Sequence, residues 1–517
     1  MAGKPSPILT RLLLVLLAMG AGRLASAQQP WSDEPLPSLD KESSYQRALE
    51  YLLRFTREDF SQASRLFNRL IKSDPKDPRG YSGQAQVRAV RYLWGWDPNL
   101  GNLEKGVSLA RRGVELDPES QEARLGLGVA LMASQRYRPA LAEMDRSVSL
   151  DEKSFRAHLF RGMILRGLRR TAEARREAAR AIELMPSSPV AHALLGDCEQ
   201  DQRRFTQARA NYLVAAELDQ TLLWPRLGVA AAYQREGKLA AAEKAYLFAE
   251  EEFPKDATRI RIQAASMLVA GERYEDALSV YENLSEKESP SPPLLRRLMQ
   301  AGRAYSLEKL DRKEEAEYFW NQLVTEFPSD FDGAYRDREI VSQGYEALSK
   351  IYESKGESRR SMEMLKKACA APGMPYDLYA GLAERQREGG LLGDAVATLR
   401  RGLAGTPDGL DTVTATQRAL PILRSAAGPK GTSRIRASAL DLLEDLEAQV
   451  ARVPAASHTP YLNLARAAAL LGQDSQAVAH LREAVEKGFV GLGRAAKDPD
   501  FQSLSRDPAF RQMLKTQ

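Results

Sequence analysis

The sequence predicts an all-α solenoid of stacked helical hairpins, and two observations carry that prediction. First, Ala140, Ala174, Ala208 and Ala242 recur every 34 residues, and Gly128, Gly162, Gly196 and Ala230 stand 12 residues before each of them. A fixed period of that length, with a small residue at two places per unit, marks a stacked helix-turn-helix repeat. Second, each unit reads as two short helices. Apolar residues fall at helical spacing over 156–167 and 172–185, Pro186 stops the second run, and 168–171 leave room only for a tight return. Helices so joined cross closely, so Gly162 and Ala174 must be small where the backbones approach, with Leu165, Ala178 and Ala181 filling the seam. One hairpin cannot bury its own apolar face, so the units need neighbours on both sides.

The register carries a family pattern. Residues 189–220 place His192, Leu195, Gly196, Ala208, Tyr212 and Ala215 at regular positions, and 223–254 repeat them with Tyr233, Ala242, Tyr246, Ala249 and Pro254. This resembles the tetratricopeptide repeat (TPR) family: a large residue at position 4, Leu-Gly at 7 and 8, small residues at 20 and 27, aromatics at 11 and 24, Pro at 32. The resemblance implies a right-handed superhelical solenoid of about eleven repeats whose concave groove binds an extended or helical peptide.

In chain order, the first 27 residues read as a secretory signal. Lys4 and Arg11 precede an apolar core, Leu12 to Gly22, and Ala25-Ser26-Ala27 supplies a small-x-small cleavage site. Eleven uncharged residues are too few to span a bilayer, which takes about 20. The reading is therefore export to the periplasm or outside the cell, from a cell of bacterial type, with an uncleaved anchor as the alternative. Residues 28–43, rich in Pro, Ser and acids, are expected to form a flexible lead-in. A TPR array of about ten repeats is expected over 44–407. Its second unit is irregular around Trp94-Gly95-Trp96, and a later one is stretched through 330–343. Over 408–456 the consensus lapses into an atypical helical hairpin broken at Gly428-Pro429-Lys430-Gly431, and a final repeat follows over 457–489. Residues 490–517 double an Asp-Pro-x-Phe motif, at 498–501 and 507–510. Each Asp caps a short helix begun by Pro, and each Phe pins it to the end of the stack. The segment resembles the closing segment of bacterial TPR arrays.

Composition narrows the function classes. The formal net charge is +5, of which Lys4, Arg11 and Arg23 supply three, so the remainder gives no electrostatic case for nucleic acid. Once the signal is cut, nothing else reads as a membrane span. Cys198 and Cys369 are the whole thiol complement and read as buried free thiols, not a disulfide scaffold. The four histidines, His158, His192, His458 and His480, form no His-Glu-x-x-His, and no zinc-type cysteine pair exists, so no metal or other cofactor is implied. Catalytic constellations are likewise lacking, and the chain reads as non-enzymatic.

The TPR resemblance assigns the groove to positions 2, 5, 9, 12 and 13 of each first helix. In this sequence they give Leu125, Val129 and Met132; then Arg156, Leu159, Met163 and Arg166; then Asp197, Gln200 and Asp201; then Trp224, Gln234 and Arg235. The expectation is a mixed surface, apolar patches beside Arg156 and Arg166 that face Asp197 and Asp201, holding a protein or peptide partner. Two alternatives stand: a periplasmic subunit of an envelope assembly for polysaccharide or protein secretion, and an enzyme with its site within 408–456.

Overall fold

The computed structural model describes residues 40–54, 56–93, 97, 99–287, 293–326, 335–370, 374–405, 411–452 and 457–515. Among them every regular element is helical, and the helices pair in sequence into hairpins, each with a first helix A and a second helix B. Hairpins 1 to 4 are Lys41–Leu53/Arg57–Ser73, Pro78–Leu93/Leu100–Leu116, Gln121–Ala133/Tyr137–Leu150 and Phe155–Gly167/Thr171–Leu184. Hairpins 5 to 8 are Pro189–Asp201/Phe205–Leu218, Leu223–Arg235/Leu239–Glu252, Ala257–Ala270/Tyr274–Lys287 and Pro293–Lys309/Lys313–Glu326. Hairpins 9 to 12 are Tyr335–Ser354/Ser358–Ala368, Tyr376–Glu388/Leu392–Gly405, Thr412–Ala427/Ser433–Arg452 and Thr459–Leu470/Asp474–Glu486. The chain divides into two compact units, residues 1–327 with 331–340 and residues 328–330 with 341–517. The signal, most of the lead-in and the Trp94-Gly95-Trp96 cluster lie outside the described residues.

The periodic small residues sit where the crossing demands them. Ala140, Ala174, Ala208 and Ala242 are fully buried. A Cβ on Gly128 would stand 2.6 Å from Met144 Cε, and one on Gly196 3.0 Å from the Tyr212 ring. Both ends of the A helices are also written periodically. Ser120, Ser154 and Ser188, again 34 residues apart, are N-caps whose hydroxyls accept from the N–H of Ala123, Ala157 and Ala191. At the other end the chain turns through one left-handed residue: Gln135, Arg169, Arg203 and Glu272 (φ near +60°) or Gly237, Gly356, Gly390 and Gly472. A six-residue ring closes each turn, as in Arg136 N–H to Leu131 O, Arg170 to Leu165 and Arg204 to Glu199, each 2.8–2.9 Å.

Two stretches left open or misplaced by the sequence are helical. Asp40 caps a helix that starts at Lys41, so residues 41–43 are helical and do not extend the lead-in. Of the stretched 330–343, residues 335–343 form the start of the 20-residue first helix of hairpin 9, and 330–334 lie outside the described residues. In the second unit the Thr412–Ala427 helix packs on Thr459–Leu470, and Ser433–Arg452 packs on Leu392–Gly405. That unit ends in a cap: Asp498 accepts from the N–H of Asp500 at 3.0 Å and Asp507 from that of Phe510 at 2.9 Å. Phe501 and Phe510 are both buried in the core of hairpins 10 to 12.

Candidate functional site

The inner A-helix face of the first unit is closed over much of its length. Leu125, Val129, Met132 and Leu159, expected as open apolar patches, are all buried in one core with Leu52, Phe60 and Val90. The cause is a close approach of the first helices of hairpins 2 and 3. A Cβ on Gly126 would lie 2.8 Å from Ser82 Cα, and the Ser82 hydroxyl donates to the Glu122 carbonyl. Helices that close leave no trough between them. Met163 and Trp224 keep partial exposure but pack against the same core.

The charged groove residues divide into two clusters. Arg156 does not face Asp197 or Asp201; its guanidinium pairs with Glu122 and donates to Gln86 Oε1 at 3.1 Å. Arg166 does meet both expected acids, donating from Nη1 to Asp197 at 2.8 Å and from Nε to Asp201 at 2.7 Å. Arg235 reaches Asp201 at 3.3 Å, and the Tyr212 hydroxyl donates to Asp197 at 2.6 Å. Burial works against the charge on Arg166, but the two carboxylates more than offset it and hold the guanidinium charged. Gln200 and Gln234 are both buried, and the Gln200 side-chain amide has no hydrogen-bond partner among the described residues. These groups bind each other across three hairpins. They staple the stack.

The open inner surface lies in the second unit. A cleft of about 620 Å³ runs over the first helices of hairpins 9, 10 and 11, lined among others by Glu353, Gly381, Glu384, Gln417 and Pro421. Gly381 sits mid-helix, exposed, and a Cβ there would meet nothing within 4 Å. Pro421 sits inside the facing Thr412–Ala427 helix. Lacking an N–H, it deprives the Gln417 carbonyl of its helical partner, and Gln417 lines the same cleft. Glu353 pairs with Arg385, and Arg387 Nη2 donates to Glu384 at 2.6 Å, holding that carboxyl below its usual range. Glu388 and Arg418, both exposed, complete the charged lining: three glutamates, Glu353, Glu384 and Glu388, against two arginines, Arg385 and Arg418.

Residues 99–155, 130–189 and 161–222 match the family model described as tetratricopeptide repeat. Residues 99–222 are tetratricopeptide repeats. That stretch takes in the first three rungs of the 34-residue ladder, Gly128/Ala140, Gly162/Ala174 and Gly196/Ala208. A rice (Oryza sativa subsp. japonica) protein described as "Protein SGT1 homolog" is 29% identical over 91 residues, 18% of this chain and 22% of its own length. The chain thus aligns with about a fifth of that relative. Among solved structures, a tetratricopeptide repeat protein from Parabacteroides merdae aligns at 13% identity over 51% of this chain and 98% of its own, with a TM-score of 0.38. Yeast Tom70 aligns at 13% over 69% of this chain and 65% of its own, with a TM-score of 0.44.

TPR arrays are protein-interaction scaffolds, and the cleft over hairpins 9 to 11 lies open beside the exposed Gly381. Sequence reading assigned groove positions only in hairpins 3 to 6; the same register carried to hairpin 10 gives Ala380, Glu384 and Glu388, which line the cleft, whereas in hairpin 11 the consensus lapses. The signal was nonetheless present: Gly381 occupies no small-residue position of the repeat, and Pro421 interrupts a helical pattern. Among the described residues no cluster of His, Cys, Asp and Glu is arranged to hold a metal ion, and no helix is long and apolar enough to cross a membrane. Cys198 and Cys369 are both free and buried, with burial pushing each thiol up to about 12.

Proposed function

We propose that this chain is an exported, non-enzymatic scaffold that binds a segment of a partner protein in the cleft over hairpins 9 to 11. One observation carries the reading. Two residues that weaken helices, Gly381 and Pro421, face one open cleft from opposite walls. In a helix interior they cost about 1 and about 3 kcal/mol against Ala, and Gly381 has no packing neighbour to explain it. A missing side chain lets a ligand backbone approach, and an unpaired carbonyl gives it an acceptor. Paired acids and arginines along the rim suit a polar peptide backbone. The groove first expected over hairpins 3 to 6 is filled by its own staple, which favours the second unit as the binding face.

Export rests on the Lys4–Arg11 charges, the Leu12–Gly22 apolar run and the Ala25-Ser26-Ala27 site. Mass spectrometry of the natively expressed protein checks it, with an amino terminus at Gln28 expected. For the binding site, a partner is first identified by photocrosslinking from Glu388. Gly381→Tyr then plugs the cleft while improving helix propensity, and the partner's Kd rises at least about tenfold, or 1.4 kcal/mol. An unchanged Kd in a variant with an unchanged melting curve removes the cleft from consideration.

A further inference from the structure

The cleft over hairpins 9 to 11 carries one more carboxylate than its arginines neutralise, and the surplus can be traced to a single residue. One wall is the face of the Tyr376–Glu388 helix on which Gly381, Glu384, Arg385 and Glu388 follow at helical spacing. Arg385 pairs with Glu353 and also donates to the Ser361 hydroxyl at 3.1 Å. Arg387 holds Glu384 through two hydrogen bonds, of 3.0 and 2.6 Å. From the opposite wall, Arg418 stands 3.9 Å from Asp377. Each of these three guanidiniums therefore has a carboxylate of its own. Glu388 is left over. The cation beside it is Arg387, which stays 3.8 Å away and is already committed to Glu384, so the Glu388 side chain remains 63% exposed.

The place of the surplus decides what it attracts. Glu388 is the last residue of its helix, where the backbone carbonyls gather partial negative charge. A carboxylate is disfavoured there and a cation is favoured. Arg385 and Arg387 occupy the last turn, but both are engaged by other acids. A cation brought from outside is thus drawn by the Glu388 carboxylate and by the helix end together. Arg418 sets up no opposite preference, because Asp377 stands beside it. Building on the cleft's proposed role in binding, we infer that the partner segment it takes presents a Lys or Arg side chain to Glu388.

Selection of a displayed random peptide library on the full chain tests this. Sequences that bind the wild type and fail on Gly381→Tyr are cleft ligands, and Lys or Arg is expected in excess at one position of their alignment. Changing that residue to Ala weakens binding to the wild type about fivefold and changes nothing on Glu388→Gln, whose melting curve matches the wild type. Glu388→Lys weakens the selected peptide about tenfold, and a Glu in place of its basic residue restores binding. Cleft ligands with no basic preference overturn the pairing and leave the cleft as a binding site. So does a basic residue whose loss costs as much on Glu388→Gln as on the wild type. A library that yields no sequence sensitive to Gly381→Tyr overturns the pairing and the cleft together.

Discussion

His158 fills the large-residue position of its repeat, and packing alone accounts for that in the sequence. The folded chain adds an ion pair: Nδ1 lies 2.7 Å from Glu177 and Nε2 3.0 Å from the Glu152 carbonyl. The hydrogen bond to Glu177 outweighs the opposing burial and raises the imidazole's affinity for its proton above the unfolded value of 6.5. A raised folded pKa contributes stability that is fully present below the unfolded pKa and lost as pH rises through the folded one. Urea midpoints should therefore fall from pH 6 to pH 9, and His158→Gln should flatten that fall; His480, raised by its bonds to Glu447 and Glu483 against burial, keeps a residual slope. An identical slope in the variant would dismiss the ion pair. Arg166 belongs to the same scale. Arg166→Ala leaves Asp197 to the Tyr212 hydroxyl and Asp201 to Arg235 alone, and should cost about 1.5–3 kcal/mol in chemical denaturation. The opposite sign is expected at Arg203, held at φ +62°. Glycine there relieves backbone strain and should stabilise by about 0.5–1 kcal/mol, net of its own entropy cost.

At the scale of helices, two contacts decide how much of the fold could be read from the sequence and how much could not. The A–B crossings were legible because Gly128 and Ala140 recur in register, and periodic small residues have one physical use. The closure of hairpin 2 onto hairpin 3 was not. It depends on Ser82 and Gly126 meeting across an irregular unit, and a groove assigned from register alone takes those helices to be spaced like all the others. Gly126→Ala should cost about 1–3 kcal/mol, because its new Cβ meets Ser82 backbone, which cannot rotate away. The closing segment was legible from its doubled motif, although its anchors were not. Arg424 holds Asp500 through two hydrogen bonds of 3.0 and 2.5 Å, and Arg466 holds Asp498 at 2.9 Å. Phe501→Ala should cost about 3–5 kcal/mol and speed amide exchange across Pro499–Lys515. Unchanged protection there would mean that the Phe does not pin the cap.

For the whole molecule, nearest-neighbour stacking governs how damage spreads. Each hairpin takes its stability from itself and from the two beside it. A bulky substitution at a crossing, Ala174→Val, should raise amide exchange in hairpins 3 to 5 and leave Pro293–Glu326 at its wild-type rate, measured by hydrogen–deuterium exchange. The all-helical architecture was evident from one period, since a periodic pattern constrains every unit at once. The proposed binding face was harder to read, because one of its walls lies where the period fails: the lapse in hairpin 11 also brings Pro421 to that wall. The thiols finish the account at this scale. Cys198 lies in one compact unit and Cys369 in the other, each sealed from solvent. Each is thus a built-in reporter for its own half. Brief exposure to an alkylating reagent in rising denaturant, followed by peptide mapping, will date the opening of each half separately, with no label added to the protein.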